Sequence, residues 1–426
     1  MALPQTILAC FIGLRLLKSI TEIFLSILNR AYYENPNHQQ KALSLLEISP
    51  DEFQKALAYS RDKHKFYLVS HIINEAVFLI FLGMGGFGVF EQLSIALSLR
   101  LGGQEILTGL LFLGLLGFAA SVISLPFEAF STFSIEKRHG FNRQTIAGFF
   151  FDRLKGTVIG VILGAPLLAV LLWIMANVGT YWWFWAFAVM TLFSLFASFI
   201  YPTWLAPLFN KFSQIEDGAL KDGIFDLAKK VNFTASGIFI MDASKRTSHG
   251  NAYFTGVFSK KQIVLFDTLV SSLQNDEIIA VLAHELGHFK LNHVRLGLLR
   301  SFIISGLTFY CLSLCLPHLE FYQGFFLSEI SNHGALLVFS LWFGLFDFIL
   351  TPLGSYISRK NEFAADRFAV SVTSSGEKLI SALKKLRQTS HSMPLSHPLF
   401  SAIYYSHPPL LERLQALALA SETSSP

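Results

Sequence analysis

The sequence predicts a polytopic α-helical membrane protein: seven transmembrane helices and a mainly helical metal-binding module that contains a small β-sheet. Three observations carry this expectation. The 426 residues are 52% hydrophobic and only 15% charged, whereas soluble domains carry about 25% charged residues, and the mean hydropathy is +0.49. Seven apolar stretches approach or exceed the roughly 20 residues that cross a bilayer. One apolar helix, residues 278–288, ends in H-E-x-x-H.

The predicted spans are residues 3–28, 66–90, 106–130, 156–178, 181–200, 298–316 and 334–357. The first is the weakest, because Arg15, Lys18 and Glu22 interrupt it. Charge inside that apolar region, with no clean small-residue site after it, argues against a cleaved signal peptide. Lys and Arg alternate along the chain: six in 29–65, five in 131–155, ten in 201–297 and eight from 358 onward, but only Arg100 in the second intervening loop and none in 317–333. The positive-inside rule then sets the N-terminus outside and the C-terminus in the cytosol. The membrane is the bacterial inner membrane for a prokaryotic chain and the endoplasmic reticulum for a eukaryotic one; no K-D-E-L-type signal ends the sequence. The net charge of +4 follows from this bias, and no basic arm of the nucleic-acid-binding kind is present.

Domain organisation follows. Residues 1–200 hold spans one to five, 201–297 the first half of the metal module, 298–357 spans six and seven, and 358–426 its second half with a short polar tail, expected to be disordered after Ala420. Pro202 is expected to break the fifth span. Within the module, 224–231 reads as helix, 236–241 and 262–266 as strands, and Asn275, Asp276 and Glu277 open the motif helix with acids at its positive end. Charges at membrane depth usually face a protein interior or water. Lys18/Glu22 and His71/Glu75 are i,i+4 pairs able to neutralise each other. Cys311 and Cys315, inside the sixth span, read as small packing residues.

The H-E-x-x-H spacing presents His284 and His288 on one helical face to a single metal ion. Glu285 projects beside them, where a carboxylate can take a proton from an activated water. A catalytic zinc needs a third protein ligand and an open position. Glu362, 74 residues after His288, is the candidate. Asp366 lies four residues further on the same face, placed to accept the free N–H of a ligating histidine. Ala364 and Ala365 would let this helix approach the motif helix closely.

Several separated stretches together resemble the integral-membrane CAAX prenyl endopeptidase family, type I, among the zinc metalloproteases. They are residues 136–145 (Glu136 to Thr145, with His139, Gly140 and Phe141), His249-Gly250-Asn251-Ala252-Tyr253-Phe254, residues 262–269, the H-E-L-G-H helix, residues 361–366, and Ser406-His407-Pro408-Pro409 through Arg413. The resemblance implies seven helices enclosing a large chamber, with a zincin-like cytosolic metalloprotease module capping it. It also implies that Asn251 and His407 hold substrate or the tetrahedral intermediate, with Arg413 supporting the ligands from behind. An Asn amide or imidazole N–H near the metal can donate to a developing oxyanion. Residues 254–264, turning at Gly256, are expected to offer an edge strand to extended peptide.

The expected activity is that of an endopeptidase with one Zn²⁺ held by His284, His288 and Glu362, and Glu285 as general base. Its partners are peptide or protein substrate and membrane lipid, with no nucleic acid. The family removes C-terminal tripeptides from prenylated cysteine peptides. A protease for damaged or stalled membrane polypeptides, with no prenyl dependence, is the second reading. A transporter or scaffold with structural zinc is the third; such sites usually have four protein ligands and no adjacent base.

Overall fold

A computed structural model of the protein describes residues 3–255 and 261–423. Among these, six helical stretches are long and apolar enough to cross a membrane: Pro50–Gly83, Glu105–Glu136, Ile146–Asn177, Gly179–Phe209, His293–Cys315 and Asn332–Thr373. The first helix, Leu3–Glu34, has the length but is not among these six. The expected second span, 66–90, is corrected. Its helix ends at Gly83 and a new one starts at Gly86, because Gly85 takes φ +69°, a left-handed turn that glycine adopts without steric cost. Pro202 does not break the fifth span either. The helix continues through Tyr201–Leu205 as a π-helical turn, whose wider register accommodates the missing N–H.

The ionisable residues of the first two helices pair across helices, not along them. Arg15 makes two bonds to Glu75, 2.6 and 3.0 Å, and its guanidinium lies 3.6 Å from the centroid of the Phe78 ring. His71 Nε2 lies 2.7 Å from Ser19 Oγ and Lys18 donates to the Gly344 carbonyl. The i,i+4 partners expected from spacing are displaced by closer ones on the facing helix. These side chains line a cavity of about 480 Å³. Glu22 and Tyr67 also line a larger one, of about 970 Å³.

A four-stranded sheet follows the fifth span: β1 (Phe212–Gln214), β2 (Ala235–Met241), β3 (Ala252–Thr255) and β4 (Lys261–Phe266). The order is β1-β2-β4-β3, with β2 and β4 parallel and the outer pairs antiparallel. Ile238, Ile263 and Leu265 turn inward and are buried. β3 is an edge strand, but the single edge strand expected over 254–264 is corrected. Residues 254–255 lie in β3, whereas 261–264 lie in β4, which is hydrogen-bonded on both sides and is interior to the sheet. The turn at Gly256 lies outside the described residues.

The motif helix, Asn275–Lys290, starts where Glu277 accepts from the Gln274 N–H at 2.8 Å. The same carboxylate is held by Ser381 and Lys385, both at 2.6 Å. Ile278, Leu282, Ala283 and Leu286 are almost fully buried in one core with Ala369 and Val370. Each large side chain so buried contributes about 1.5–3 kcal/mol. The expected seventh span and the ligand helix are one continuous helix, Asn332–Thr373. It runs close behind the motif helix: a Cβ on Gly287 would sit 3.1 Å from Ala365 Cα. Glycine opposite alanine keeps that approach free of crowding. The last helix continues to Thr423, so the tail expected to be disordered after Ala420 is helical for three more residues; residues 424–426 lie outside the described ones.

Residues 136–145 act as a strap. Glu136 accepts from Tyr59 at 2.6 Å, and His139 and Arg138 reach Asp62 at 3.0 and 2.9 Å. Asn142 bridges to Thr247. Phe141, 4% exposed, stacks on His249 (centroids 4.6 Å apart) and meets His391 edge-on at 5.0 Å. This sandwich ties the helix Pro50–Gly83 to the loop that leads into β3. We expect Phe141→Ala to destabilise the fold by about 3–5 kcal/mol, read as a lower unfolding midpoint in detergent; an unchanged midpoint would contradict this account of the strap.

Candidate metal centre

The motif helix and the long helix Asn332–Thr373 cross so that His284, His288 and Glu362 converge. His284 Nε2 and His288 Nε2 are 3.2 Å apart. Glu362 Oε2 lies 3.4 Å from the first and Oε1 lies 3.2 Å from the second. One ligand atom from each residue falls within 4.8 Å of the others. Glu362 is 4% exposed, and its buried Oε2 accepts no hydrogen bond. Leaving a charged acceptor without a donor is costly.

The residues fit a divalent metal. Two imidazole nitrogens and a carboxylate oxygen suit zinc and its neighbours. His284 Nδ1 donates to Asp366 Oδ1 at 2.8 Å, which leaves Nε2 as the ligating atom. Burial pulls the His284 pKa down, but the Asp366 hydrogen bond and the Glu362 carboxylate reverse this and push it up to about 9.

Asp366 is in turn gripped by Arg413, which is 8% exposed and donates from Nε to Oδ2 at 2.9 Å and from Nη2 to Oδ1 at 2.6 Å. This planar two-point contact is the geometry for which Arg is suited. Arg413 Nη1 also stands 3.6 Å from Glu362 Oε2. The buried carboxylate behind the histidine is therefore paired, which burial of a charge requires.

His407 reaches the cluster: its Nε2 lies 3.4 Å from Glu362 Oε1, with the side chain 65% exposed. Glu285 is half-buried on the motif helix beside the first ligand, and no hydrogen bond engages its carboxylate among the described residues. Asn251 lies in the loop that leads into β3. It is exposed at the start of β3, where its Oδ1 accepts from the Ala252 N–H at 2.8 Å and its carbonyl from Phe266. No hydrogen bond joins it to the ligands. The cavity of about 970 Å³ opens against the cluster through His407 and Arg413 and extends past Tyr59, His64 and Phe400.

One site residue escaped sequence reasoning. His293 Nδ1 lies 3.0 Å from His288 Nδ1, with ring centroids 5.1 Å apart. A spacing of five residues would point it away from His288 on an unbroken helix. Asn292, at φ 57°, ends one helix and starts the next, which brings the ring back. The asparagine before a histidine was the only signal.

Comparison with known proteins agrees with this geometry. Residues 31–211 match the family model described as CAAX prenyl protease N-terminal, five membrane helices, and residues 214–420 match peptidase family M48. The chain is 37% identical over 421 residues to a CAAX prenyl protease 1 homolog of Arabidopsis thaliana, covering 98% of both chains. It is 33% identical over 438 residues to that of Homo sapiens, covering 93% of this chain and 92% of the other. The crystal structure of S. mikatae Ste24p superposes with a TM-score of 0.89 at 32% identity, over 97% of this chain and 99% of that one. With its paired histidines and buried carboxylate set among apolar helices, the chain belongs to the M48 family of membrane metalloendopeptidases, in its CAAX prenyl protease branch.

Proposed function

We propose that the protein uses one Zn²⁺, held by His284, His288 and Glu362, to remove C-terminal peptides from prenylated cysteine substrates. The observation that carries this is the convergence of three ligand atoms around a buried Glu362 oxygen that accepts no hydrogen bond. Bound zinc supplies Lewis-acid polarisation of the scissile carbonyl and lowers the pKa of a water. Glu285 takes the proton of the attacking water at its carboxylate and passes it to the leaving amine nitrogen. Asp366 fixes the tautomer of His284, and Arg413 holds Asp366 ionised and in place. His407, exposed beside Glu362, is free to donate to the oxygen that gains charge in the transition state. Asn251 is assigned to substrate binding at the edge of β3, where an extended peptide can add as a further strand.

In this reading, 201–297 and 358–426 form a cytosolic module over a helical vessel, and the first helix is the seventh span. Supporting this, Leu17, Ile20, Phe24 and Ile27 form an exposed apolar stripe along it, each at least 50% exposed, while Phe11 and Leu25 face inward. A lipid-facing helix shows that pattern. The Lys/Arg asymmetry supports an outside N-terminus and a cytosolic C-terminus.

The polar cavity around Arg15, Lys18 and Glu75 favours a second reading. A surface of that kind suits hydrated peptide better than a prenyl chain, as a protease for stalled or damaged membrane polypeptides would require. A prenylated C-terminal peptide and its unlipidated twin separate the two. We expect cleavage on the C-terminal side of the modified cysteine, at least about tenfold faster for the prenylated peptide, since a buried isoprenoid contributes well over 1.4 kcal/mol. Equal rates would favour the second reading.

A further inference from the structure

We infer that His293 is the positioning residue of the second metal ligand, accepting the Nδ1 proton of His288 as Asp366 accepts that of His284. The inference rests on the metal reading of the site. Two imidazole nitrogens 3.0 Å apart share one proton, so one ring donates and the other accepts. If His293 donated, His288 would carry its own proton on Nε2. That is the atom facing His284 Nε2 and Glu362 Oε1, and it would be blocked as a ligand. Metal binding therefore selects the opposite arrangement. His288 keeps its proton on Nδ1 and offers the Nε2 lone pair, while His293 holds its proton on Nε2 and presents Nδ1 as acceptor.

The two ligating histidines are thus oriented unequally. His284 leans on a carboxylate, itself neutralised by Arg413. His288 leans on a neutral ring. A second carboxylate would add a further negative charge beside Glu362, so an uncharged acceptor fixes the tautomer without disturbing the local balance. The left-handed Asn292 is what makes the contact: it turns the chain between the motif helix and the helix His293–Cys315 so that the first residue of that membrane helix reaches back to the ligand.

The test measures the dissociation constant of Zn²⁺ by competition with a chelator, and the visible absorption spectrum of the Co²⁺ form, in full-length protein in detergent. His293→Leu removes the acceptor. His293→Asn keeps an oxygen near the position of Nδ1. His288→Ala is the reference for loss of a ligand. We expect His293→Leu to weaken zinc binding about 10- to 100-fold with an altered Co²⁺ spectrum, and His293→Asn to return to within about threefold of the parent. If Leu prevents folding, His293→Phe keeps ring volume without the acceptor and takes its place. Parental affinity in His293→Leu, while His288→Ala loses metal, would overturn the assignment. Equal weakening in Leu and Asn would overturn the hydrogen-bond role in favour of side-chain shape. Retained metal in His288→Ala would refute the metal reading itself.

Discussion

Glu285→Gln is expected to stop peptide cleavage while leaving the metal content unchanged. Glu285 stands on the motif helix between His284 and Leu286, half-buried while its neighbours on the core side are sealed. Helical geometry rotates each residue about 100° from the last, so its carboxylate lies beside the two ligands and not behind them. It is not one of the three groups whose ligand atoms converge. Gln matches Glu in shape but cannot take up a proton, so the substitution removes only the base. General bases contribute about 10²–10⁴-fold to rate, and loss here should reach at least the upper part of that range. The measurement is turnover of a C-terminal peptide together with metal per chain. Cleavage within tenfold of the parent would refute the role of Glu285. Loss of metal along with activity would show instead that Glu285 supports the ligands.

Much of this centre was legible because its chemistry is local. Two histidines four apart on an apolar helix, and two carboxylates four apart on another, are patterns the 3.6-residue period turns directly into faces. The facing of those two helices was signalled by small residues, and the contact between Gly287 and Ala365 is its physical form. What escaped depends on breaks in periodicity and on pairing at a distance. The helix restart around Gly85 lies inside an apolar run, where hydropathy does not register a change of direction. Arg15 and Glu75 are 60 residues apart, so spacing along one helix gave Glu75 the wrong partner and Arg15 none. Pro202 was read as a stop because proline removes a backbone N–H from an α-helix, whereas the chain continues here through a π-helical turn. His293 required knowledge that Asn292 turns the chain left-handed. Asn251 belonged to a motif, yet its side chain accepts from the Ala252 N–H at its own strand start.

Glu362→Gln is expected to have the largest effect on metal binding of any single change outside the H-E-x-x-H helix. Its two oxygens bridge the histidines at 3.4 and 3.2 Å, and it supplies the only negative charge among the three ligands. Gln retains the volume, so packing against the buried Ala365 is undisturbed, and the contact between Asp366 and Arg413 persists. Its neutral amide is a poor zinc ligand, and its N–H₂ group would face imidazole nitrogens instead of a cation. A structural zinc site binds by about 10–16 kcal/mol through four ligands. Loss of one ligand therefore costs about 3 kcal/mol, or more than 100-fold in affinity. Asp366→Asn, which alters only the partner of His284, should cost less, about 10- to 100-fold. The order of the two distinguishes a ligand from its support. Metal titration of the unfolding midpoint gives a second readout. Zinc at a thousand times its dissociation constant stabilises the parent by about 4 kcal/mol, and the same concentration should stabilise Glu362→Gln by only about 1 kcal/mol. A Glu362→Gln protein that binds one metal per chain with parental affinity would remove Glu362 from the ligand set, and an ion held by the two histidines would then need another third partner.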